Sequence, residues 1–213
     1  MATKFRFDGP VGARHTVLLA HGAGAPMDSA SMTASARALA NAGLRVARFE
    51  FDYMASRRTT ANRKPPPRAD KLNPEYIAAV NALASTGPVI IGGKSMGGRV
   101  ASMIADELYA SGKIVGLLCL AYPFHPQGKP DQLRISHLTT METPTLIVQG
   151  TRDLFGTREE VSAQTLSKNI EVLWLEDGDH DLKPRKSVSG FSADDHLKTV
   201  GRTVSVWVET IAG

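Results

Sequence analysis

A serine flanked by glycines is the strongest chemical signal in the sequence. Gly93-Lys-Ser-Met-Gly97 fits the pattern G-x-S-x-G, follows the strand-like run 88–91 and opens a helical pattern near Met96. In a sharp strand-to-helix turn, glycines on both sides remove the Cβ atoms that would clash with neighbouring backbone. The pattern therefore predicts that Ser95 is held above a sheet as a nucleophile.

A phosphate-binding loop is an alternative for the same residues, because Gly93, Lys94 and Ser95 also end the pattern G-x-x-x-x-G-K-[ST]. The first glycine of that pattern falls on Pro88. Strand-like residues 89–91 occupy the place of the flexible loop that would wrap a phosphate. The sequence therefore favours an activated serine over a nucleotide site, with an inert serine in a glycine-rich turn as the third possibility.

A serine hydroxyl needs a base, and the base needs an acid that orients it. His180 lies just past the last predicted strand, where loops gather at the carboxyl edge of a parallel sheet. His125 precedes any suitable acid, and His196 falls within the final helical pattern. Asp153 follows the preceding strand and is preferred to the acids that adjoin His180 in sequence. The predicted triad is Ser95, Asp153 and His180, in that chain order.

Small residues after the first buried strand predict an oxyanion hole. The turn His21-Gly-Ala-Gly24 lets backbone amides approach a substrate carbonyl. The predicted donors are the N–H groups of Ala23 and Met96, and Gly22 is expected to border the substrate. His21 is expected to hold this loop through a hydrogen bond rather than to take part in the chemistry.

Short β-branched runs alternate with helical patterns, which predicts a parallel sheet with crossover helices. The predicted strands are 16–20, 44–51, 88–91, 113–121, 145–149 and 171–175, with 5–7 as a candidate edge strand. The predicted helices are 29–42, 74–85, 96–109, 162–167 and 194–211. Residues 52–73 show no period and are predicted to form an irregular loop.

The composition is that of an ordinary globular protein, with 42% hydrophobic and 22% charged residues in 213. Without repeats or linkers, this predicts a single domain over residues 1–213. No apolar run reaches the roughly 18 residues of a membrane helix, and the first residues lack the apolar stretch of a secretory signal. A cytoplasmic location is therefore expected. The single cysteine, Cys119, is expected to be a buried thiol.

The net charge of +4 raises the question of an anionic partner. The sequence has no zinc-ligand spacing and no recognisable nucleic-acid motif. We therefore expect no metal, no cofactor, no nucleic acid and no membrane as partners. The expected partner is a small acyl substrate.

Four motifs together resemble the α/β-hydrolase superfamily along nearly the whole chain. They are Ala20-His-Gly-Ala-Gly24, Gly92-Gly-Lys-Ser-Met-Gly-Gly-Arg99, Gln149-Gly-Thr-Arg-Asp153 and Gly178-Asp-His-Asp181. Their combination is similar to a branch of small, lidless, dienelactone-hydrolase-like predicted hydrolases of bacteria, which is related to the testis-expressed and NSL-complex-subunit proteins of animals. The resemblance implies a three-layer α/β-hydrolase fold, with a mostly parallel sheet of six or seven strands and helices on both faces. Dienelactone hydrolases use a cysteine nucleophile, so the serine here argues against that particular activity.

The surroundings of the predicted site indicate open access. Residues 123–144 give only about 20 residues after a strand, too few for a helical lid. The basic loop 57–71 should emerge at the same edge of the sheet, where with Lys94 it either attracts a carboxylate or phosphate or is merely solvated. The other residues expected to contact substrate are Tyr53, Met54, Tyr122 and Phe124.

The sequence thus predicts a serine hydrolase that cleaves an ester or related acyl bond through an acyl-enzyme. Two alternatives stay open. One is a catalytically silent scaffold of the same fold that binds partners, and the other is an acyltransferase that uses the same triad. No motif identifies the acyl group, the leaving group or the oligomeric state.

Overall fold

In the computed structural model, which describes residues 3–60, 65–85 and 87–212, the chain assembles around one seven-stranded sheet. The strands are β1 (Phe5–Asp8), β2 (Thr16–Ala20), β3 (Arg45–Phe49), β4 (Val89–Lys94), β5 (Gly116–Leu120), β6 (Thr145–Gly150) and β7 (Ile170–Leu175). The helices are α1 (Ala30–Asn41), α2 (Asp52–Ser56), α3 (Asn73–Ala82), α4 (Met96–Ser102), α5 (Ala105–Ala110), α6 (Arg158–Ser162), α7 (Lys186–Ser189) and α8 (Ala193–Ala212). Short 3-10 helices cover Ala69–Leu72 and Ser136–Thr139.

The spatial order of the strands is β1-β3-β2-β4-β5-β6-β7. The edge strand β1 runs antiparallel to β3, and the other neighbouring pairs are parallel. This order confirms the mostly parallel sheet and the edge strand near residues 5–7. It also places β4, which leads to Ser95, in the middle of the sheet.

The central strands are buried on both faces, so their side chains alternate between two apolar layers. Leu18 and Cys119 belong to the layer shared with α3, α4 and α5. Leu19 and Leu118 belong to the opposite layer, shared with α1 and α8. Cys119 is fully buried, as predicted, and its burial raises the pKa of the thiol. These two layers of helices on one sheet are the expected three-layer arrangement.

One helix prediction and one loop prediction differ from the structure. The segment 96–109 is not one helix, because the chain turns at Ile104 (φ −120°, ψ −1°) and separates α4 from α5. The segment 52–73 is not wholly irregular, because it begins with α2 and ends with a 3-10 helix. Periodicity of apolar residues does not report such a turn, since apolar side chains continue across it.

The helix predicted at 162–167 lies earlier, in α6. Its start is fixed by a capping box, in which the Thr157 side chain accepts the Glu160 N–H and the Glu160 side chain accepts the Thr157 N–H. The sequence carries this start signal as T-x-x-E, which the helical pattern alone does not reveal. The helix α7 was not predicted.

No helical lid covers the carboxyl edge of the sheet within the described residues. Between β5 and β6 the chain forms loops and the 3-10 helix Ser136–Thr139. This confirms the lidless fold expected from the length of that segment. In the part of the chain that the structure describes, no helix is both long and apolar enough to cross a membrane.

A buried arginine ties the edge strand and the loop before α1 to the sheet. Arg48 on β3 is fully buried. Its Nε donates to Asp8 Oδ2 at 2.9 Å, and one terminal nitrogen donates to Met27 O at 2.6 Å and to Thr33 Oγ1 at 3.0 Å. A second terminal nitrogen pairs with Asp8 Oδ2 at 2.7 Å. A buried guanidinium left without its carboxylate is strongly destabilising.

Removing that carboxylate is therefore expected to destabilise the fold. Asp8→Ala should lower the free energy of unfolding by about 3 kcal/mol, because it leaves the Arg48 charge buried and unneutralised. Asp70→Ala is the matched control, since it breaks an exposed pair with Arg68 at 3.1 Å and should cost less than about 1 kcal/mol. Urea unfolding of both variants measures the difference, and equal losses would contradict the role of the buried pair.

Candidate active site

Ser95 stands in the turn between β4 and α4 with a backbone that L-residues rarely adopt (φ 51°, ψ −117°). Its N–H donates to the Leu120 carbonyl at 2.9 Å. The turn lies tightly against β2. A Cβ on Gly93 would come within 2.5 Å of the Ala20 carbonyl oxygen, and one on Gly97 would collide with the same atom. The two glycines of the motif are therefore required by the close approach of backbone on both sides of Ser95.

The structure brings the three residues of the predicted triad into one hydrogen-bonded chain. His180 Nε2 lies 2.9 Å from Ser95 Oγ, and His180 Nδ1 lies 2.8 Å and 3.1 Å from the two carboxylate oxygens of Asp153. A carboxylate accepts hydrogen bonds, so Nδ1 carries the proton and Nε2 is free to accept the Ser95 hydroxyl proton. Asp153 is fully buried, whereas a quarter of the His180 side chain (26%) is exposed. This is the arrangement in which a histidine can act as base for a serine.

Two further residues hold the Asp153 carboxylate, and sequence reasoning did not single them out. Gln149 Nε2 donates to Oδ2 at 3.1 Å, and the Phe155 N–H donates to Oδ1 at 2.9 Å. The Phe155 ring also packs on the His180 imidazole, with the ring centres 4.3 Å apart. Gln149 begins the motif Gln149-Gly-Thr-Arg-Asp153. Its side-chain amide is therefore the sequence signal from which a donor to Asp153 could have been predicted. Together these contacts fix both the acid and the plane of the base.

The predicted oxyanion loop is braced by His21, which is fully buried. The Phe51 N–H donates to His21 Nε2 at 3.2 Å, so Nδ1 carries the proton and donates to the Gly22 carbonyl at 2.7 Å. Burial lowers the pKa of His21 and so favours this neutral form. Because the C=O and N–H of a trans peptide point in opposite directions, this bond directs the Ala23 N–H away from His21.

The predicted oxyanion loop lies beside Ser95. A Cβ built on Gly22 would lie 3.8 Å from the Cβ of Ser95, so the loop passes directly beside the nucleophile. Among the described residues, neither the Ala23 N–H nor the Met96 N–H has a hydrogen-bond acceptor. Unpaired N–H donors close to a serine are the kind of group that could stabilise an oxyanion.

Two of the residues predicted to contact substrate form polar bonds within the site itself. The Tyr53 hydroxyl donates to the Ala23 carbonyl at 3.1 Å and braces the same loop as His21. Partial burial raises the pKa of Tyr53 to about 12, so the hydroxyl keeps its proton. Lys94 Nζ donates to the His180 carbonyl at 3.0 Å and pairs with Asp181 at 2.9 Å.

Three other predicted substrate contacts point into the core. Met54, Tyr122 and Phe124 are almost completely buried, at 4%, 0% and 1% exposure. The Tyr122 hydroxyl donates to the Arg134 carbonyl at 2.9 Å, and Phe124 packs against Gly156. The Met54 and Tyr122 side chains are therefore not available to a ligand at the surface, which corrects the expectation drawn from their place after strands. Phe124 borders a small cavity beside His125 and Glu160.

The basic loop 57–71 carries less free charge than its sequence suggests. Arg58 donates to Glu50 at 2.6 Å and 2.8 Å and to Asp28 at 2.7 Å, so two carboxylates neutralise it. Arg68 pairs with Asp70. Residues 61–64, which include two of the basic residues, lie outside the described residues.

Asp177 holds together the loop that carries His180 through bonds to Arg185 and Arg152. The Asp177 carboxylate accepts from the backbone N–H of Arg185 at 2.6 Å and pairs with the Arg185 guanidinium. Arg152 Nε donates to the Asp177 carbonyl at 2.7 Å and so joins the β6 loop to the β7 loop. The bonds from Arg185 lower the pKa of Asp177 from 3.8 to about 2.

Comparison with known proteins places the fold among hydrolases. A family model described as "Alpha/beta hydrolase domain" matches residues 13–209. A dienelactone hydrolase from Anabaena variabilis is 20% identical, with a TM-score of 0.72 over 99% of this chain and 93% of that one. An alpha-beta serine hydrolase homologue from Coxiella burnetii is 21% identical, with a TM-score of 0.69 over 95% and 91% of the two chains. A serine hydrolase without lid from Xanthomonas campestris is 19% identical, with a TM-score of 0.68 over 96% and 89%.

The Asp177 pair predicts an acid-dependent loss of stability. Because the folded pKa lies below the ordinary value of 3.8, the pair stabilises the fold above about pH 4, and the contribution is lost as the pH falls through about 2. Asp177→Asn removes it while keeping a residue that tolerates the local φ of 55°. The gap in urea midpoint between the native protein and this variant should therefore narrow from about pH 5 to about pH 2.

The control for this measurement is Asp194→Asn, which breaks the exposed i,i+4 pair with Lys198. That variant should match the native protein closely at every pH. A constant gap for Asp177→Asn across the same range would show that the carboxylate charge is not what holds the loop.

Proposed function

Because this chain belongs to the family of alpha/beta hydrolase domains, we propose that it is a serine hydrolase that cleaves an ester or related acyl bond through an acyl-enzyme. The observation that carries the proposal is the hydrogen-bonded chain from Ser95 through His180 to the buried Asp153. The family membership confirms the superfamily that the sequence motifs indicate.

In the proposed reaction, Ser95 Oγ attacks the carbonyl carbon of the substrate while His180 Nε2 takes the hydroxyl proton. The Asp153 carboxylate, which accepts from Nδ1, stabilises the imidazolium that results. Collapse of the tetrahedral intermediate breaks the bond to the leaving group, which receives the proton from Nε2. Water then attacks the acyl-enzyme by the same route, and the acid product and the free Ser95 hydroxyl are released.

The negative charge of each tetrahedral intermediate needs donors that are already in place. We assign this role to the N–H groups of Ala23 and Met96. Each is unpaired within the described residues, and the loop of Ala23 is braced by His21 and Tyr53. Donors that do not have to reorient as charge develops make the largest single contribution in many enzymes.

A small acyl substrate without an obligatory charge suits this site best. The protein from Xanthomonas campestris is described as a serine hydrolase without lid, and an open site of that kind admits a substrate directly from water. Preference for an anionic substrate has weaker support than the sequence suggests, because Arg58 is bound to Glu50 and Asp28 and Lys94 to Asp181.

Labelling with a fluorophosphonate probe tests the proposal. The probe forms a covalent bond with an activated serine, so the native protein should be labelled, and Ser95→Ala and His180→Ala should lose labelling by about 10³-fold or more. Circular dichroism checks that the variants keep the fold. A native protein that stays unlabelled would favour the catalytically silent scaffold. In a separate assay with an ester, products that form only when an alcohol or amine is added would favour an acyltransferase.

The oxyanion assignment has its own test in His21→Phe. The variant keeps a ring of similar shape against Phe51 but removes the bond to the Gly22 carbonyl and the bond from the Phe51 N–H that orients the ring. We expect kcat for a short-chain ester to fall by about tenfold or more with a smaller change in KM, because the Ala23 N–H, which stabilises the transition state rather than the ground state, would be misplaced. Tyr53→Phe removes one brace of the same loop and should show a weaker loss. Unchanged kcat in His21→Phe would remove Ala23 from the proposed hole.

A further inference from the structure

Lys94 is a charged residue with no assigned part in the proposed reaction, yet it is bound to the loop of the base. It is the last residue of β4 and directly precedes Ser95. Its side chain is mostly buried, with 12% exposed, and Nζ donates to the backbone carbonyl of His180 at 3.0 Å. The same Nζ pairs with Asp181 Oδ1 at 2.9 Å. One ammonium group thus joins the strand of the nucleophile to the backbone of the base.

We propose that Lys94 is a positioning residue that holds the His180 imidazole at the distance from Ser95 that proton transfer requires. This inference deepens the proposed function and depends on it. The other polar contacts of the loop, made through Asp177, Asp179 and Leu182, run to the loop after β6, to α8 or within the loop itself, and none of these contacts involves β4. Lys94 is the tether from the nucleophile's own strand, and its donor reaches the carbonyl of the catalytic residue itself.

The chemistry of the contact suits such a tether. A bond from a charged donor to a carbonyl is stronger than a neutral one, and the partly buried setting reduces screening by solvent. The bond to Lys94 lowers the pKa of the Asp181 carboxyl and so favours its charged form. A base displaced by about 1 Å can cost about 100-fold in rate even when the substrate still binds.

The competing interpretation is that Lys94 binds an anionic group of the substrate, as the sequence suggests. In the structure its ammonium group already donates to the His180 carbonyl and pairs with the Asp181 carboxylate. An anionic group of a substrate would compete with a carboxylate that is already present. The two interpretations differ in the kinetic constant that they affect, because a positioning residue acts on kcat and a substrate contact acts first on KM.

The decisive variant is Lys94→Met, which keeps the length and apolar stem of the side chain but has no donor. We expect kcat for a neutral short-chain ester to fall by about 10- to 100-fold while KM changes by less than about threefold. Lys94→Arg, which retains a charged donor, should recover much of the loss. Asp181→Asn, at a half-exposed position, loosens one of the two anchors and should lower kcat by about threefold.

Lys183→Met is the matched control. Lys183 Nζ lies 4.0 Å from the other oxygen of Asp181, its side chain is 60% exposed, and it makes no side-chain bond to His180. This variant removes the same charge from the neighbourhood of Asp181 and should keep native kcat. An equal loss in Lys183→Met would show that charge near Asp181, rather than the bond to His180, is what matters.

A second measurement does not depend on activity. The proton shared by His180 Nδ1 and Asp153 gives a far-downfield proton NMR signal when it is protected from exchange with water. In Lys94→Met this signal should broaden or vanish, whereas Lys183→Met should retain it. Native kcat and a native signal in Lys94→Met would overturn the inference, and so would a loss confined to KM for anionic esters. If the native protein shows this NMR signal but is not labelled by fluorophosphonate, the proposed function is overturned instead. In that case the NMR signal of Lys94→Met still decides whether Lys94 positions His180.

Discussion

The left-handed backbone of Ser95 is the constraint on which the site depends. A non-glycine residue in such a conformation costs about 1–3 kcal/mol and persists only where the surroundings enforce it. Here β4, β2 and α4 meet so closely that the carbonyl of Ala20 excludes a Cβ at Gly93 or Gly97. The same packing brings Gly22 beside the nucleophile, so one crowded turn sets both the direction of the hydroxyl and the place of the oxyanion loop.

The other members of the site come from loops that follow different strands, and each loop carries its own polar brace. His21 holds the loop after β2, Gln149 and the Phe155 N–H hold the acid after β6, and Asp177 closes the loop after β7. A parallel sheet gathers such loops at its carboxyl edge, but it does not fix them to within a fraction of an ångström. The braces supply that precision, because hydrogen bonds between buried polar groups are stronger than in water and restrict the motion of the loops that they join.

The sequence predicts what depends on local pattern or chain order. Strand runs, the glycines around Ser95, and the order of serine, acid and histidine are properties of that kind, and the structure brings Ser95, Asp153 and His180 together as the order implies. The direction of a side chain at the end of a strand is different, because it depends on which neighbouring segment competes for the same space. Tyr122 and Phe124 follow β5 as expected, yet both turn into the core, where their rings contact each other. The contact of Lys94 could not be predicted either, since its partner, the His180 carbonyl, lies 86 residues away in the chain.

The exposure of the site also bears on which acyl acceptor it favours. The His180 side chain is a quarter exposed, and no helical lid covers it among the described residues. An acyl group on Ser95 would therefore face bulk water, whose concentration exceeds that of any dissolved alcohol or amine. Transfer to another acceptor requires a pocket that binds the acceptor and excludes water. Met54 and Tyr122, which the sequence predicts to contact substrate, are buried in the core instead. If the proposed acyl-enzyme forms, the exposure of the site therefore favours its hydrolysis over transfer to another acceptor.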